Sequence, residues 1–212
     1  MNLFRRLLRL DRHQQPVPST LEIARFFNEA SRDEEHFPSS IDPRIYHVKL
    51  VLEHLAPARR VADIGCGKGR FARLVHEANP SRSVIALDLA EEMLRHVPAG
   101  VLPVAASMTA LPLRSESCDG AYATESLEHA IDIHRAIDEL CRIVRPGGRI
   151  LIIDKNAEHW GKLKTPEWEK WFDRSEIEKM LAKHCRKVES RFVSYWEDVE
   201  PDGMFIAWLA EK

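Results

Sequence analysis

The residues best equipped for chemistry stand close together in the first half of the chain. Asp63-Ile64-Gly65-Cys66-Gly67-Lys68-Gly69 sets glycines at three alternate positions, with a carboxylate two residues ahead of the first. Glycine has no Cβ and accepts φ > 0, so a ligand can lie directly against such a backbone. Asp88 follows Gly69 by 19 residues, the spacing at which an acid ends the next strand and can accept hydrogen bonds from two ribose hydroxyls. Loop and acid together describe a nucleoside site. A dinucleotide would call for G-x-G-x-x-G, but Arg70 stands one past Gly69, and Asp63 would oppose a pyrophosphate, so NAD is the weakest reading. The same carboxylate suits a ligand with a cationic amino-acid portion. Cys66 has no neighbouring base to activate it, and its role is backbone contact.

A loop of this kind must join a strand to a helix, and the flanking pattern supplies both. From about Arg60 onward, short Val/Ile/Leu/Ala runs alternate with segments of helical periodicity, as in βαβ units. Strands are predicted at Val61–Ile64, Val84–Asp88, Val101–Ala106, Asp119–Thr124 and Arg149–Asp154. Pro103 marks the third as an edge or a bulge. Helices are predicted at Arg70–Ala78, Glu91–His96 and Ile131–Val144, and Pro146-Gly147-Gly148 makes the turn into the fifth strand. After residue 172 the order is a helix through Ile177–His184 with Asp173 as N-cap, then strands Lys187–Trp196 and Met204–Leu209 joined by Glu200-Pro201-Asp202-Gly203. This is an α/β fold: a Rossmann-like, doubly wound, mostly parallel seven-stranded sheet with an antiparallel closing strand.

With those elements in place, Asp63 to Gly69 resembles the first motif of class I S-adenosylmethionine (SAM) dependent methyltransferases. Four further motifs follow in the family's order: the acid at Asp88, Leu111-Pro112-Leu113 before the fourth strand, Cys118-Asp119-Gly120-Ala121 entering it with Leu127-Glu128-His129 after it, and Arg142-Ile143-Val144-Arg145-Pro146-Gly147-Gly148. The resemblance covers residues 60–154 closely and the rest by topology. It implies SAM as cofactor, bound by Asp63, Gly65, Cys66, Gly67, Gly69, Asp88, Leu89, Ser107, Met108 and Glu125. Where the family usually carries an Asp near the adenine, this chain has Ser107-Met108; a neutral Ser hydroxyl would hold the exocyclic amine more weakly than a carboxylate. The sulfonium already activates its methyl group, so the chemistry asks mainly for alignment. His129 and Glu125 are the candidate catalytic groups, and no metal is called for.

The resemblance divides the chain into an N-terminal helical segment, residues 1–56, acting as lid or tail, and a SAM-binding domain, residues 57–212. Within the latter, residues 155–172 form an acceptor-side insertion carrying Trp160, Trp168, Trp171 and Phe172. Trp160, Tyr46 and His129 are the candidate acceptor contacts. The acceptor is expected to be a small molecule. An RNA or protein methyltransferase and a nucleoside-binding scaffold without turnover are the alternatives. A formal net charge of −2 gives no general attraction to nucleic acid. Met1 to Arg12 alternates Leu and Phe with four Arg, a pattern able to rest on an anionic membrane surface. The four cysteines, 52, 23 and 44 positions apart, form neither a metal clip nor a disulfide framework, and with no apolar leader they point to the cytoplasm.

Overall fold

The computed structural model describes residues 18–212; the basic stretch at residues 1–12 lies outside them. Seven strands, β1 (Arg60–Ile64), β2 (Ser83–Asp88), β3 (Leu102–Ala105), β4 (Cys118–Thr124), β5 (Val144–Lys155), β6 (Lys187–Val193) and β7 (Phe205–Glu211), form one sheet in the order β3-β2-β1-β4-β5-β7-β6. The first five pair with one another in parallel, and β7 is antiparallel to both β5 and β6. The helices are α1 (Thr20–Ala30), α2 (Tyr46–His54), α3 (Arg70–Ala78), α4 (Glu91–Leu94), α5 (Ile133–Ile143) and α6 (Arg174–Leu181).

Alternation along the strands fills two apolar layers. Ala62, Ile64, Ile150, Ile152, Ile206 and Trp208 join Ile137, Leu140 and Ile177 of α5 and α6 on one face. Val61, Leu151, Ile153 and Ala207 join Val48, Val51, Phe71 and Val75 of α2 and α3 on the other. Successive side chains of a strand point to opposite faces, and here both faces are covered, which is why these strands read as continuous apolar runs.

Three of the described helices start at side-chain caps. Ser19 Oγ accepts from Glu22 N at 3.3 Å while the Ser19 N–H donates to Glu22 at 2.7 Å, a capping box opening α1. Asp132 and Asp173 cap α5 and α6.

Several predicted boundaries shift. The helix expected to end at His96 stops at Leu94, that expected at Ile131–Val144 runs Ile133–Ile143, and the strand expected to reach Trp196 ends at Val193. The fifth strand starts at Val144, not Arg149. The Pro146-Gly147-Gly148 turn is absorbed as a slip in register, Cys118 pairing with Val144 and Gly120 with Arg149. Pro103 lies in β3, an edge strand, the place where a sheet tolerates proline. Strand order reverses at β1, between β2 and β4, so a crevice opens at their carboxyl ends.

Candidate functional site

The glycine loop lies at that crevice. Gly65 and Cys66 donate their N–H groups to the Leu87 carbonyl at 2.8 and 3.0 Å, tying the loop to β2. Gly65 is left-handed, with φ +72°; a Cβ there would come 2.5 Å from Ser126 Cβ, because Ser126 is drawn in by its hydroxyl bond to the Ile64 carbonyl at 2.8 Å. Gly67, with φ +53°, has no described atom within 4 Å of where a Cβ would stand. One glycine is thus required by protein contact, and the other borders open space.

Asp88 Oδ2 accepts from Gly67 N at 2.7 Å and Oδ1 from Ala90 N at 2.8 Å. Burial raises its carboxyl above the ordinary value, and these N–H groups draw it back. Each oxygen keeps lone-pair capacity for a ligand hydroxyl. Asp63 is 1% exposed, and its Oδ2 has no hydrogen-bond partner among the described residues. Burial pushes it up to about 7; Tyr122, its register partner on β4, and Arg70 pull it down, while Asp88 adds to the rise. Burial, with Asp63 and Asp88, pushes the Cys66 thiol well up, so it stays protonated, as its expected role as a backbone contact requires.

These groups floor a cavity of about 300 Å³, within the range of small-molecule sites. Leu89, Ser107 and Met108 line it, the Ser107 hydroxyl lying 2.8 Å from that of Thr109. The opposite wall is aromatic and comes from the N-terminal segment: Phe26, Phe27 and Phe37. Phe27 meets Phe26, Phe37 and His129 edge to face, with centroids 5.1, 5.9 and 4.8 Å away. Trp168 braces Phe26 from behind at 5.1 Å. The segment is fastened to the loop by Lys68 Nζ, which donates to Glu34 at 2.6 Å, and to α4 by Glu92 N, which donates to the Asn28 side chain at 2.9 Å.

Two charged clusters close the ends. Glu125, immediately after β4, is left-handed at φ +51°. Its Oε1 lies 3.7 Å from His47 Nδ1 and 3.8 Å from Arg70 Nη2. Burial would raise this carboxyl, but His47 and Arg70 outweigh it and hold it below its ordinary value. In the second cluster Lys155 Nζ donates to both oxygens of Glu128 at 2.6 Å and stands 3.0 Å from Glu169 Oε1. Burial and Asp154 push Glu128 well up, whereas Asp154, fully buried, is pushed up to about 6. His129 is driven down to about 3 by burial, then by Lys155 and Lys170, so its imidazole is neutral. Ligand atoms of Glu128, His129 and Glu169 lie within 4.8 Å of one another, but the Lys155 ammonium already sits against two of these three residues.

Ten of the residues picked out from the sequence line the cavity: Asp63, Gly65, Cys66, Gly67, Asp88, Leu89, Ser107, Met108, Glu125 and His129. Three do not. Gly69, at φ +76°, is the N-cap of α3, packed near Val97 and Pro98. Tyr46 opens α2, its N–H bonded to the Tyr195 carbonyl at 2.8 Å, on the apolar layer of that face. Trp160 is 48% exposed on the outer side of the insertion, whose other aromatics turn inward: Trp171 and Phe172 are core residues. The aromatic wall expected from residues 155–172 is therefore built by α1 and the turn after it, and the insertion contributes Lys155, Pro166 and Glu169. Sequence reading missed Phe26, Phe27, Phe37, Lys155 and Glu169. For Phe26 and Phe27 the signal was two adjacent aromatics on a capped helix.

The residues present fit SAM: an orphaned buried carboxylate for an ammonium, open space over Gly67, and a second acid with spare lone pairs. Comparison with known proteins agrees. Residues 62–152 match the family described as "Methyltransferase domain". A malonyl-[acyl-carrier protein] O-methyltransferase of Methylococcus capsulatus is 40% identical over 106 residues, 47% of this chain and 38% of that protein. A ubiquinone/menaquinone biosynthesis C-methyltransferase of Syntrophotalea carbinolica is 33% identical over 107 residues, 47% of this chain and 45% of that protein. The chain thus matches less than half the length of these curated relatives. Among solved structures, the [4+2]-cyclase SpnF superposes with a TM-score of 0.74 at 16% identity, covering 93% of this chain and 97% of that one, a likeness of fold alone. Over residues 62–152 the chain thus matches a methyltransferase domain, and in its ordered motifs and its sheet it is similar to the class I SAM-dependent methyltransferases.

Proposed function

We propose that the chain transfers a methyl group from SAM to a small-molecule acceptor, enclosed beneath the N-terminal segment acting as a lid. The observation carrying this reading is the open space over Gly67 between the orphaned Asp63 carboxylate and Asp88. In it Asp63 takes the ammonium of the cofactor's amino-acid portion, Asp88 the ribose hydroxyls, and Ser107 and Met108 the adenine. Leu89, Glu125 and the backbone at Gly65 and Cys66 complete the cofactor side; Gly69 only sets the entry into α3. SAM supplies, when bound, a methyl group already activated by its sulfonium.

The protein's contribution is to hold the acceptor and exclude water. Alignment of two bound reactants is worth up to ~7–11 kcal/mol in favourable cases. His129, with a pKa near 3, and Glu125, held below its ordinary value, are both weak bases at neutral pH, so positioning outweighs proton abstraction by either. Phe26, Phe27 and Phe37 supply an apolar wall for an acceptor of modest size.

Calorimetry with SAM, S-adenosylhomocysteine and NAD is the first test, followed by a screen of metabolite extracts for SAM-dependent mass gains of about 14, the replacement of H by CH₃. Absence of SAM binding would sink the proposal. A nucleoside-binding scaffold without methyl transfer is the second reading, since one fold can serve several functions. Tight SAM binding with no product in any extract would favour it.

A further inference from the structure

The acceptor end of the cavity is unevenly charged. Glu128, Asp154 and Glu169 surround the single Lys155 ammonium, with the Asp154 oxygens accepting the backbone N–H groups of Lys155 and Glu128 at 2.8 and 3.2 Å. The next cation, Lys170, turns its ammonium onto the Ala130 carbonyl. Glu169 is 8% exposed, and its Oε1, although within ion-pair reach of Lys155, accepts no hydrogen bond among the described residues. His129 Nδ1 is a second buried atom without a partner there. Around the cavity as a whole, five lining carboxyl groups face three cations, Lys68, Arg70 and Lys155, of which Lys68 is already paired with Glu34 and Lys155 with Glu128.

An anionic acceptor would bring a further desolvated negative charge into this end. Lys155 could meet it only by loosening its contacts with Glu128 and Glu169, leaving a carboxylate uncompensated. A cation gains on both counts: it supplies the missing donor to Glu169 and meets the aromatic wall. We propose that the methyl acceptor carries an amine that enters as a cation and is held between the Glu169 carboxylate, the His129 ring and Phe27. This rests on reading the cavity as a methyltransferase pocket.

The test is calorimetry on the full chain with three probes of one shape, 2-phenylethylamine, 3-phenylpropionate and 2-phenylethanol, measured with and without S-adenosylhomocysteine. The amine is expected to bind at least tenfold more tightly than either of the others. Glu169→Gln should abolish that preference and Glu169→Asp should keep it, with S-adenosylhomocysteine affinity within threefold of the parent in both variants. Equal binding, tighter binding of the carboxylate, or no amine binding overturns the inference even where S-adenosylhomocysteine binds normally. Failure of S-adenosylhomocysteine itself to bind strikes the methyltransferase reading, and the amine preference is then judged on the unliganded chain.

Discussion

Gly65 and Gly67 stand two residues apart in one loop, both left-handed, yet they should fail differently when given a Cβ. At Gly67 an added methyl meets no described atom within 4 Å, so Gly67→Ala carries only the left-handed backbone cost of ~1–2 kcal/mol, offset by ~0.4–1 kcal/mol from a stiffer unfolded chain. At Gly65 the same terms are joined by a 2.5 Å approach to Ser126 Cβ. Relieving that contact moves a buried residue and strains its bond to the Ile64 carbonyl, ~0.5–1.5 kcal/mol, with overpacking of ~1–3 kcal/mol beside it. Gly65→Ala should therefore cost about 4 kcal/mol and Gly67→Ala about 1 kcal/mol in urea unfolding. Ligand binding reverses the order: Gly67→Ala fills the space proposed for the cofactor and should weaken S-adenosylhomocysteine tenfold or more, about 1.4 kcal/mol. A Ser126→Gly background removes the colliding Cβ, so the cycle with Gly65→Ala should show a favourable coupling above ~1 kcal/mol. Equal urea midpoints for the two single variants, or no coupling in the cycle, would refute the contact as the reason for glycine at position 65.

Three further outcomes follow from the site. Asp63, with its pKa raised to about 7, binds a proton in the folded protein that the unfolded chain has released above ~3.9; its contribution is present at low pH and lost as pH rises towards 7, so the wild type should lose more stability than Asp63→Asn between pH 4.5 and 7.5, and parallel curves would count against it. His129 has the opposite sign: its folded pKa is lowered to about 3, so its contribution is full above the unfolded value of ~6.5 and lost as pH falls towards 3, and its ring resonances should stay those of neutral imidazole from pH 5 to 8. Phe27→Ala should raise the acceptor KM with SAM affinity nearly unchanged, while Trp160→Ala, altering an exposed outer site, should change neither; the reverse pattern in steady-state kinetics would return the acceptor wall to the insertion.

What the sequence made legible was local. The loop from Asp63 to Gly69, its strand, its helix and Asp88 are set by spacing within some 30 residues, and the alternation of Ile150 to Ile153 between two layers is written residue by residue. The acceptor wall is not local. Phe26 meets Trp168 and Glu34 meets Lys68 across separations that no periodicity encodes, and a tryptophan-rich segment looked more like a wall than two phenylalanines far upstream. Trp171 and Phe172 have the same composition signal as Trp160, but only packing decides which of them turns inward. The Lys155 cluster draws on three segments, after β4, at the end of β5 and in the insertion. A clue lay in Asp154-Lys155, two charged residues directly after the apolar run Ile150–Ile153, where burial demands partners.

The position of β7 between β5 and β6 has a consequence for the order in which the protein can be completed during synthesis. Ile150 to Ile153 have their β4 neighbour as soon as they emerge, but their other neighbours are residues 207 to 210. A ribosome must therefore add more than fifty further residues before that edge is covered and Trp208 enters the core. Throughout that interval β5 offers an apolar ladder with open N–H and C=O groups, the kind of edge on which nascent chains pair with one another. β6 emerges earlier but has only β7 as a ladder partner, so two strands wait on a third. Slow translation through residues 187–211 would lengthen that exposure, making this late stretch the place where chaperone protection matters most.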